Sequence, residues 1–439
     1  MNTSSISLIS QQNLKSVSSG LMPNTKYITV NENETRTARL SSRQAEALRK
    51  LGHELASKKG WWRDLTTDDR EDTTLAEHSV VSCQGLGQGR YALRVADAVG
   101  VIAVDDLQIV IEPKIPMRHL IFLLEEADAV PRMSDLPAQI QGGDDFWRLI
   151  ARWYVARLEA LLRRDLLREY RPIQEDLKTI RGRVVALPTA RKYYSGTLDI
   201  TCRFEEFDFD SPLNRVLKDA ILRVAGSPVL PWDLRKKAVS LSRQFIDVDA
   251  LQEGDLFLAV TDVRSSYYDA AIGLARNIIQ QTNRNLAHGE GSSWSFLFKT
   301  PIAVEDGLRA VIQKGLAPHH VVGRSSKKLQ PDGISINPDV VIDNGVAVGD
   351  VKYKLSQPDW NRSDLYQVIA FAAGYEAKRC VLLNFSKDPA LQKRSVVFGE
   401  IELTELSWPA DENIDPEIAA SRYVRSITSW VTNLSPAAV

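Results

Sequence analysis

The sequence predicts a mixed α/β domain in its C-terminal part, preceded by a β-rich and helical N-terminal part. Three observations predict it. Residues 80–111 hold short β-rich runs cut by Gly and Asp turns. Residues 211–288 carry apolar residues at mostly helical spacing. From Trp294 onward the pattern alternates between helix, hairpin, helix and strand, an order that suits an α/β layer architecture. At 439 residues the chain is long enough for two or three domains. We expect an extension at 1–74, a β-rich and helical domain at 75–205, and a helical segment followed by the α/β domain at 206–439.

The elements follow in order. Residues 1–25 are rich in Ser, Asn and Gln and read as a loose tail. A short strand fits 26–30, and Ser41 and Ser42 can cap a helix over 42–57. Strands are expected at 80–83, 91–95, 99–104 and 107–111, forming a small sheet or barrel. A short helix fits 119–127 and a long one 146–170, its Arg residues set against Glu159, Asp165 and Glu169. Residues 178–203 are basic, with Asp199 the only acid, and read as strand and loop. Thr300-Pro301 marks a helix start, with Thr as N-cap and Pro at the first helical position. Asp359 or Ser363 can start a further helix through Tyr375. A late strand fits 396–403 and a closing helix 416–434.

Composition narrows the class. Apolar residues make up 44% and charged residues 25%, as in a globular soluble protein. Residues 1–25 show no secretory leader, and no apolar run is long enough to span a bilayer. Cys83, Cys202 and Cys380 are too far apart for a disulfide framework or a zinc knuckle. A reducing cytoplasm is the expected home. The net charge is −1, so any contact with nucleic acid must come from local patches, a partner or a metal. The segment Gly85-Leu86-Gly87-Gln88-Gly89 lacks the Lys-Ser/Thr ending of a phosphate loop and reads as a turn. Nothing in the chain looks able to hydrolyse a nucleoside triphosphate.

The chemistry concentrates in 337–352. Asn344-Gly345 is the preferred pair for a two-residue type I′ hairpin turn. With that turn, Asp343 faces Val346, Val341 faces Val348, and Asp339 faces Asp350. Directly opposed residues have Cβ atoms roughly 4.5–5.5 Å apart, and like charges there are destabilising unless a cation joins them. Lys352 shares the face of Asp350 because side chains alternate along a strand. A helical wheel places Glu305 on the apolar face of Ile302, Leu308 and Ile312, and turns Asp306 toward the polar side. A carboxylate there is either functional or an acid held by the helix dipole. Gln367, on the helix after the hairpin, can reach back toward it. Paired acids with a lysine suit Mg²⁺-assisted phosphodiester hydrolysis, with Asp339, Asp350, Glu305 and the Val351 carbonyl as metal ligands. Lys352 would then orient water or stabilise charge on the phosphorane. The other reading is a surface hairpin with solvated acids.

Three blocks then resemble one family. Val99-Gly100-Val101-Ile102 with Ile109-Val110-Ile111-Glu112-Pro113-Lys114-Ile115 is similar to the N-terminal signature of the McrC family. The run Phe207-Asp208-Phe209-Asp210-Ser211-Pro212-Leu213-Asn214-Arg215-Val216-Leu217-Lys218 is similar to its central block. Glu305, Asp339, Asp350, Lys352 and Tyr366-Gln367 resemble its nuclease set. The resemblance implies a PD-(D/E)xK endonuclease domain at the C-terminal end. It also implies an N-terminal part that docks onto a McrB-like AAA+ GTPase hexamer recognising DNA with modified cytosine. The catalytic set it implies is Asp339, Asp350, Lys352, Glu305 and Gln367, and the basic stretches 146–170 and 181–203 become candidate partner or DNA surfaces. A non-catalytic adaptor that activates the GTPase and a stand-alone nuclease are the alternatives.

Overall fold

The computed structural model is described for residues 26–57, 80–130, 142–259, 265–285, 293–329, 333–388 and 393–432. The expected tail at 1–25 lies outside them. Contacts divide the chain into two units. One holds Arg148–Asn283, and the other combines Lys26–Trp147 with Arg284–Val439. A strand pairing far apart in sequence joins the two stretches of the larger unit: Ser293–Lys299 runs antiparallel to Ala98–Val104, with Phe296 opposite Val101. Gly100, at φ +143°, makes this possible, because a Cβ there would come within 2.0 Å of the Phe296 carbonyl oxygen.

The larger unit contains two main sheets. In the first, Lys26–Asn31, Leu107–Glu112, Ala98–Val104 and Ser293–Lys299 lie side by side. A separate three-stranded sheet joins Thr35–Arg39, Arg90–Val95 and Val81–Gly87. Helix Ser42–Ser57 buries Leu48, Leu51 and Leu55 in the core that these strands share. Its start is a reciprocal cap: Ser41 Oγ accepts from Gln44 N, and Gln44 Oε1 accepts from Ser41 N. Phe146 and Trp147 close the first sheet, Trp147 stacking on Phe296 at 4.4 Å between ring centres.

The second sheet of this unit has six strands. Their order is Val322–Gly323, Val340–Ile342, Ala347–Leu355, Arg379–Ser386, Ile401–Pro409 and Lys393–Phe398. Ala347–Leu355 and Arg379–Ser386 are parallel, joined through helix Arg362–Tyr375 as a β-α-β crossover. Both strands are almost wholly buried, as parallel strands covered on two faces must be. Helix Pro301–Leu316 and helix Pro416–Thr432 complete the layers. The α/β architecture predicted for the C-terminal part is therefore present.

Several boundaries differ from expectation for local reasons. Thr300 occupies the cap position of its helix but its hydroxyl donates to Glu32 and makes no capping bond. Asn361, neither Asp359 nor Ser363, caps Arg362–Tyr375, its Oδ1 accepting from Ser363 N and Asp364 N. The strand expected at 396–403 is a hairpin of two strands that turns at Gly399, φ +59°. The long helix ends at Leu162, and Tyr170 lies in the strand Glu169–Leu177.

In the smaller unit, strands Glu169–Leu177, Ile200–Asp208 and Arg183–Val184 form one sheet. The helix Ala186–Tyr194 stands where strand and loop were expected. The central sequence block proves structural. Asn214 is fully buried and donates to the Leu167 and Phe209 carbonyls while accepting from Tyr268 Oη. Arg215 grips Asp255 through two hydrogen bonds of 2.8 and 2.9 Å and lies 3.1 Å from Asp210. Such a buried ion cluster holds only while every charge keeps its partner.

Candidate functional site

The hairpin register is the expected one. Val341 pairs with Val348, Val340 with Gly349 and Ile342 with Ala347. Extending that ladder by one residue sets Asp339 beside Asp350. The turn itself is longer than two residues. Asn344 (φ 59°, ψ 25°) and Gly345 (φ 106°) have the positive φ of a type I′ turn, but Asp343 is left-handed too, at φ 47°. Asp343 leaves the ladder because its carboxylate is engaged elsewhere, accepting from Val321 N at 2.9 Å and meeting His320 Nδ1 at 2.7 Å. It therefore does not pair with Val346.

Both central acids are buried, Asp339 at 7% and Asp350 at 2% exposure, so the solvated-hairpin reading does not hold. Asp339 Oδ2 accepts the Val351 N–H at 3.0 Å, which ties the two strands across the acids. Lys352 Nζ lies 2.7 Å from Asp350 Oδ2 and holds that buried oxygen in a charge-assisted pair. Arg324 stands 3.8 Å from Asp339 Oδ1, and Arg309 Nη1 donates to the Asp339 carbonyl. These two arginines carried no recognisable signal in the sequence. Each reaches the site only through tertiary packing.

Helix Pro301–Leu316 brings Glu305 to the same group. Leu308 and Ile312 are buried as the wheel required, whereas Ile302, the third residue of that face, is half-buried, as is Glu305. Burial pushes the Glu305 carboxyl up to about 8; Asp339 and Asp350 add to this, while Arg324 and Lys352 pull against it. Burial likewise raises Asp350 to about 7, with Lys352 opposing and Asp339 reinforcing the rise. For Lys352, burial works against the ammonium, but Asp350 and Asp339 outweigh it and hold the group above its usual value. Two carboxylates that resist ionisation beside a lysine that resists neutralisation form a site poised for a cation or a proton.

Glu305 and Lys352 open onto a cleft of about 1060 Å³, lined also by Glu32, Lys114, Arg118 and Lys387. Gln367 is exposed on helix Arg362–Tyr375 and makes no hydrogen bond to the acids among the described residues. That helix is fastened to the strand by Lys354, whose Nζ donates to both Asp364 oxygens at 2.9 and 3.0 Å. The structure thus gathers Glu305, Asp339, Asp350 and Lys352, and leaves Gln367 at the surface.

The donor set suits a hard divalent cation: the buried carboxylates of Asp339 and Asp350, with the neighbouring Val351 carbonyl. No three His, Cys, Asp or Glu side chains converge as a ready cage among the described residues. Mg²⁺ is commonly held by only one or two carboxylates, with waters and phosphates completing the shell, so this arrangement fits it.

Comparisons with known proteins bear on the family and the fold. The profile of the McrBC 5-methylcytosine restriction system component family matches residues 93–386, more than half of the chain. The chain belongs to that family. Among solved structures, a chain of the half-complex from the tetradecameric assembly of Thermococcus gammatolerans McrB AAA+ hexamers with bound McrC is similar in fold. It is 17% identical, with a TM-score of 0.61, and the match covers 92% of this chain and 100% of that one. A chain of the cryo-EM structure of the Thermococcus gammatolerans McrBC complex matches at 18% identity and TM-score 0.41, covering 67% of this chain and 89% of that one. No curated protein matches. The matched stretch takes in the Glu112-Pro113-Lys114 segment, the structural block at Asn214-Arg215 and the whole acid–lysine group of this McrBC-family chain. No described helix is long and apolar enough to cross a membrane.

Proposed function

We propose that this McrBC-family chain is the Mg²⁺-dependent DNA endonuclease subunit of a modification-dependent restriction complex. The observation that carries the reading is the buried hairpin, with Asp339 and Asp350 side by side and Lys352 paired to Asp350 at 2.7 Å. The domain that carries it is then of the PD-(D/E)xK nuclease type. Asp339, Asp350 and the Val351 carbonyl would hold the metal, with water and phosphate completing the shell and Glu305 standing beside the two acids on its helix. When bound, Mg²⁺ polarises the scissile phosphate and lowers the pKa of an attacking water. Lys352 orients that water and stabilises charge on the phosphorane from a fixed, desolvated position. Arg324 and Arg309 hold Asp339 in place from behind. Gln367, exposed on its helix, meets the DNA from the solvent side.

The partner is a McrB-like AAA+ GTPase hexamer. The chain has no phosphate loop of its own, and the solved structure that it resembles is of McrB hexamers with bound McrC. Docking falls to the Ala186–Tyr194 helix of the smaller unit and the turn after it. Leu187, Tyr193, Tyr194 and Leu198 are all more than half exposed there, on a stretch that also carries Arg191 and Lys192. An exposed apolar group rimmed by charge is the usual mark of an interaction surface.

The experiment combines the chain with its GTPase, GTP and DNA carrying 5-methylcytosine. Cleavage that requires Mg²⁺ and stops with EDTA is expected. Accelerated GTP hydrolysis without any cleavage would replace this reading with that of an adaptor, and Mg²⁺-dependent cutting without the GTPase would make the chain a stand-alone nuclease.

A further inference from the structure

The strand that carries Lys352 is irregular where the chemistry lies. Ala347–Leu355 pairs in parallel with Arg379–Ser386, with Val351 opposite Leu383 and then Leu355 opposite Phe385. Four steps on one strand thus match two on the other, and Lys352, Tyr353 and Lys354 bulge from the ladder. A bulge of this kind re-aims a side chain, but it also strips backbone groups of their partners.

One of those groups is claimed by a residue 239 positions earlier. Lys114 Nζ donates to the Tyr353 carbonyl at 3.0 Å. The same ammonium lies 4.5 Å from the centre of the Tyr353 ring, which is buried and edge-on to Phe385. Lys114 is itself fixed. It follows Pro113 at the end of strand Leu107–Glu112, and its side chain is only 16% exposed. Glu32 and Asp97 stand at 3.9 and 3.8 Å, close enough to steady the charge and too far to hydrogen-bond. Glu32 is held in turn by Thr300, whose hydroxyl donates to it. A lysine present only to neutralise Glu32 would bond to Glu32. Among the described residues the hydrogen bond of Lys114 goes to the bulged strand instead, and a charge-assisted bond to a buried carbonyl is among the stronger ones available.

We propose that Lys114 is a positioning residue of the cutting centre: it clamps the bulge at Tyr353 and so fixes the direction of Lys352. The inference rests on the reading of Lys352 as the cation of the nuclease site. Through Lys114 the N-terminal sheet, which supplies no ligand of its own, becomes part of that site.

The test compares Lys114→Met and Lys114→Arg with the wild-type chain, in complex with the GTPase, GTP, Mg²⁺ and methylated DNA, under single-turnover conditions. Misplacement of a reacting group by about 1 Å can cost about a hundredfold, so Lys114→Met is expected to slow cleavage about 10–100-fold. The KM for DNA and the stimulation of GTP hydrolysis stay unchanged, and Lys114→Arg recovers most of the rate. Backbone hydrogen exchange over 351–355 is expected to speed up in Lys114→Met. If Lys114→Met leaves a buried Glu32 charge that prevents folding, the balanced pair Lys114→Met with Glu32→Gln takes its place, with the same outcomes expected. Wild-type cleavage, unchanged exchange over 351–355, or an arginine variant as slow as the methionine one would each overturn the proposal. Asp350→Ala in the same assay separates the two levels. If it cuts at the wild-type rate, the cutting centre is wrong, and the exchange result still decides whether Lys114 holds the bulge.

Discussion

Lys352 Nζ sits 2.7 Å from Asp350 Oδ2, two residues along the same strand and on the same buried face. The pair puts a cation and an anion at one buried point, beside Asp339 and Glu305. Its cost in desolvation is offset only if both charges have further work to do, because a buried ion pair by itself is weak evidence of stabilisation.

Replacing Lys352 tests that division of labour. Lys352→Ala removes a donor aimed at developing charge, and a loss of about 10²–10³ in the cleavage rate is expected. It also removes the partner that holds the Asp350 carboxyl down. The residual activity should therefore need a higher pH than the wild type. A pH–rate profile of the residual cleavage checks this, and an unshifted profile contradicts it.

The pH dependence of stability has a definite sign. Burial holds Glu305 at about 8 and Asp350 at about 7, against usual values of 4.5 and 3.8. The folded chain keeps protons that the unfolded chain has released. This contribution is fully present at about pH 4 and is lost as pH rises toward 8. A divalent cation binds the deprotonated acids, so added Mg²⁺ should raise the melting temperature more at pH 8 than at pH 5.5. Thermal unfolding with and without Mg²⁺ at both values reads this directly, and an equal shift at the two values counts against it.

Glu305→Gln separates repulsion from binding. Without metal, the variant should match the wild type in melting temperature near pH 4 and pull ahead of it as pH rises, by more at pH 8.5 than at pH 5.5, because it has no carboxyl to ionise. With Mg²⁺ the advantage should shrink. Calorimetry that finds the variant less stable at pH 8.5 would remove Glu305 from the acid cluster.

The central block makes a purely structural prediction. Arg215 is buried between Asp255 and Asp210, and Arg215→Ala leaves the buried Asp255 without its cation while Asp210 keeps Arg171 at 2.8 Å. A loss of about 3–5 kcal/mol is expected. Denaturant unfolding measures it, and a loss below about 1 kcal/mol would be that of a surface pair instead.

The sequence was most legible where structure is local. The hairpin register followed from one Asn-Gly pair and the alternation of Val and Asp around it, and the wheel on 301–316 brought Glu305 to the right face. Contacts made at long range were hidden. Asp343 left the ladder because Val321 and His320 claim its carboxylate, which no turn rule could anticipate. The pairing of Ser293–Lys299 with Ala98–Val104 was hidden for the same reason. Arg324 and Lys114 reach the site only through packing across the fold. Glu112-Pro113-Lys114 was conspicuous as a motif, but its chemistry appears only once the Tyr353 carbonyl is seen beside it.

The central claim is that the 339–352 hairpin cuts DNA, and one measurement bears on it most directly. Asp350→Ala is assayed beside the wild type with the GTPase, GTP, Mg²⁺ and DNA carrying 5-methylcytosine, and cleavage and GTP hydrolysis are followed in the same tube. The account predicts cleavage lost by at least about a hundredfold, with GTP hydrolysis stimulated as before. Cleavage at the wild-type rate would contradict it.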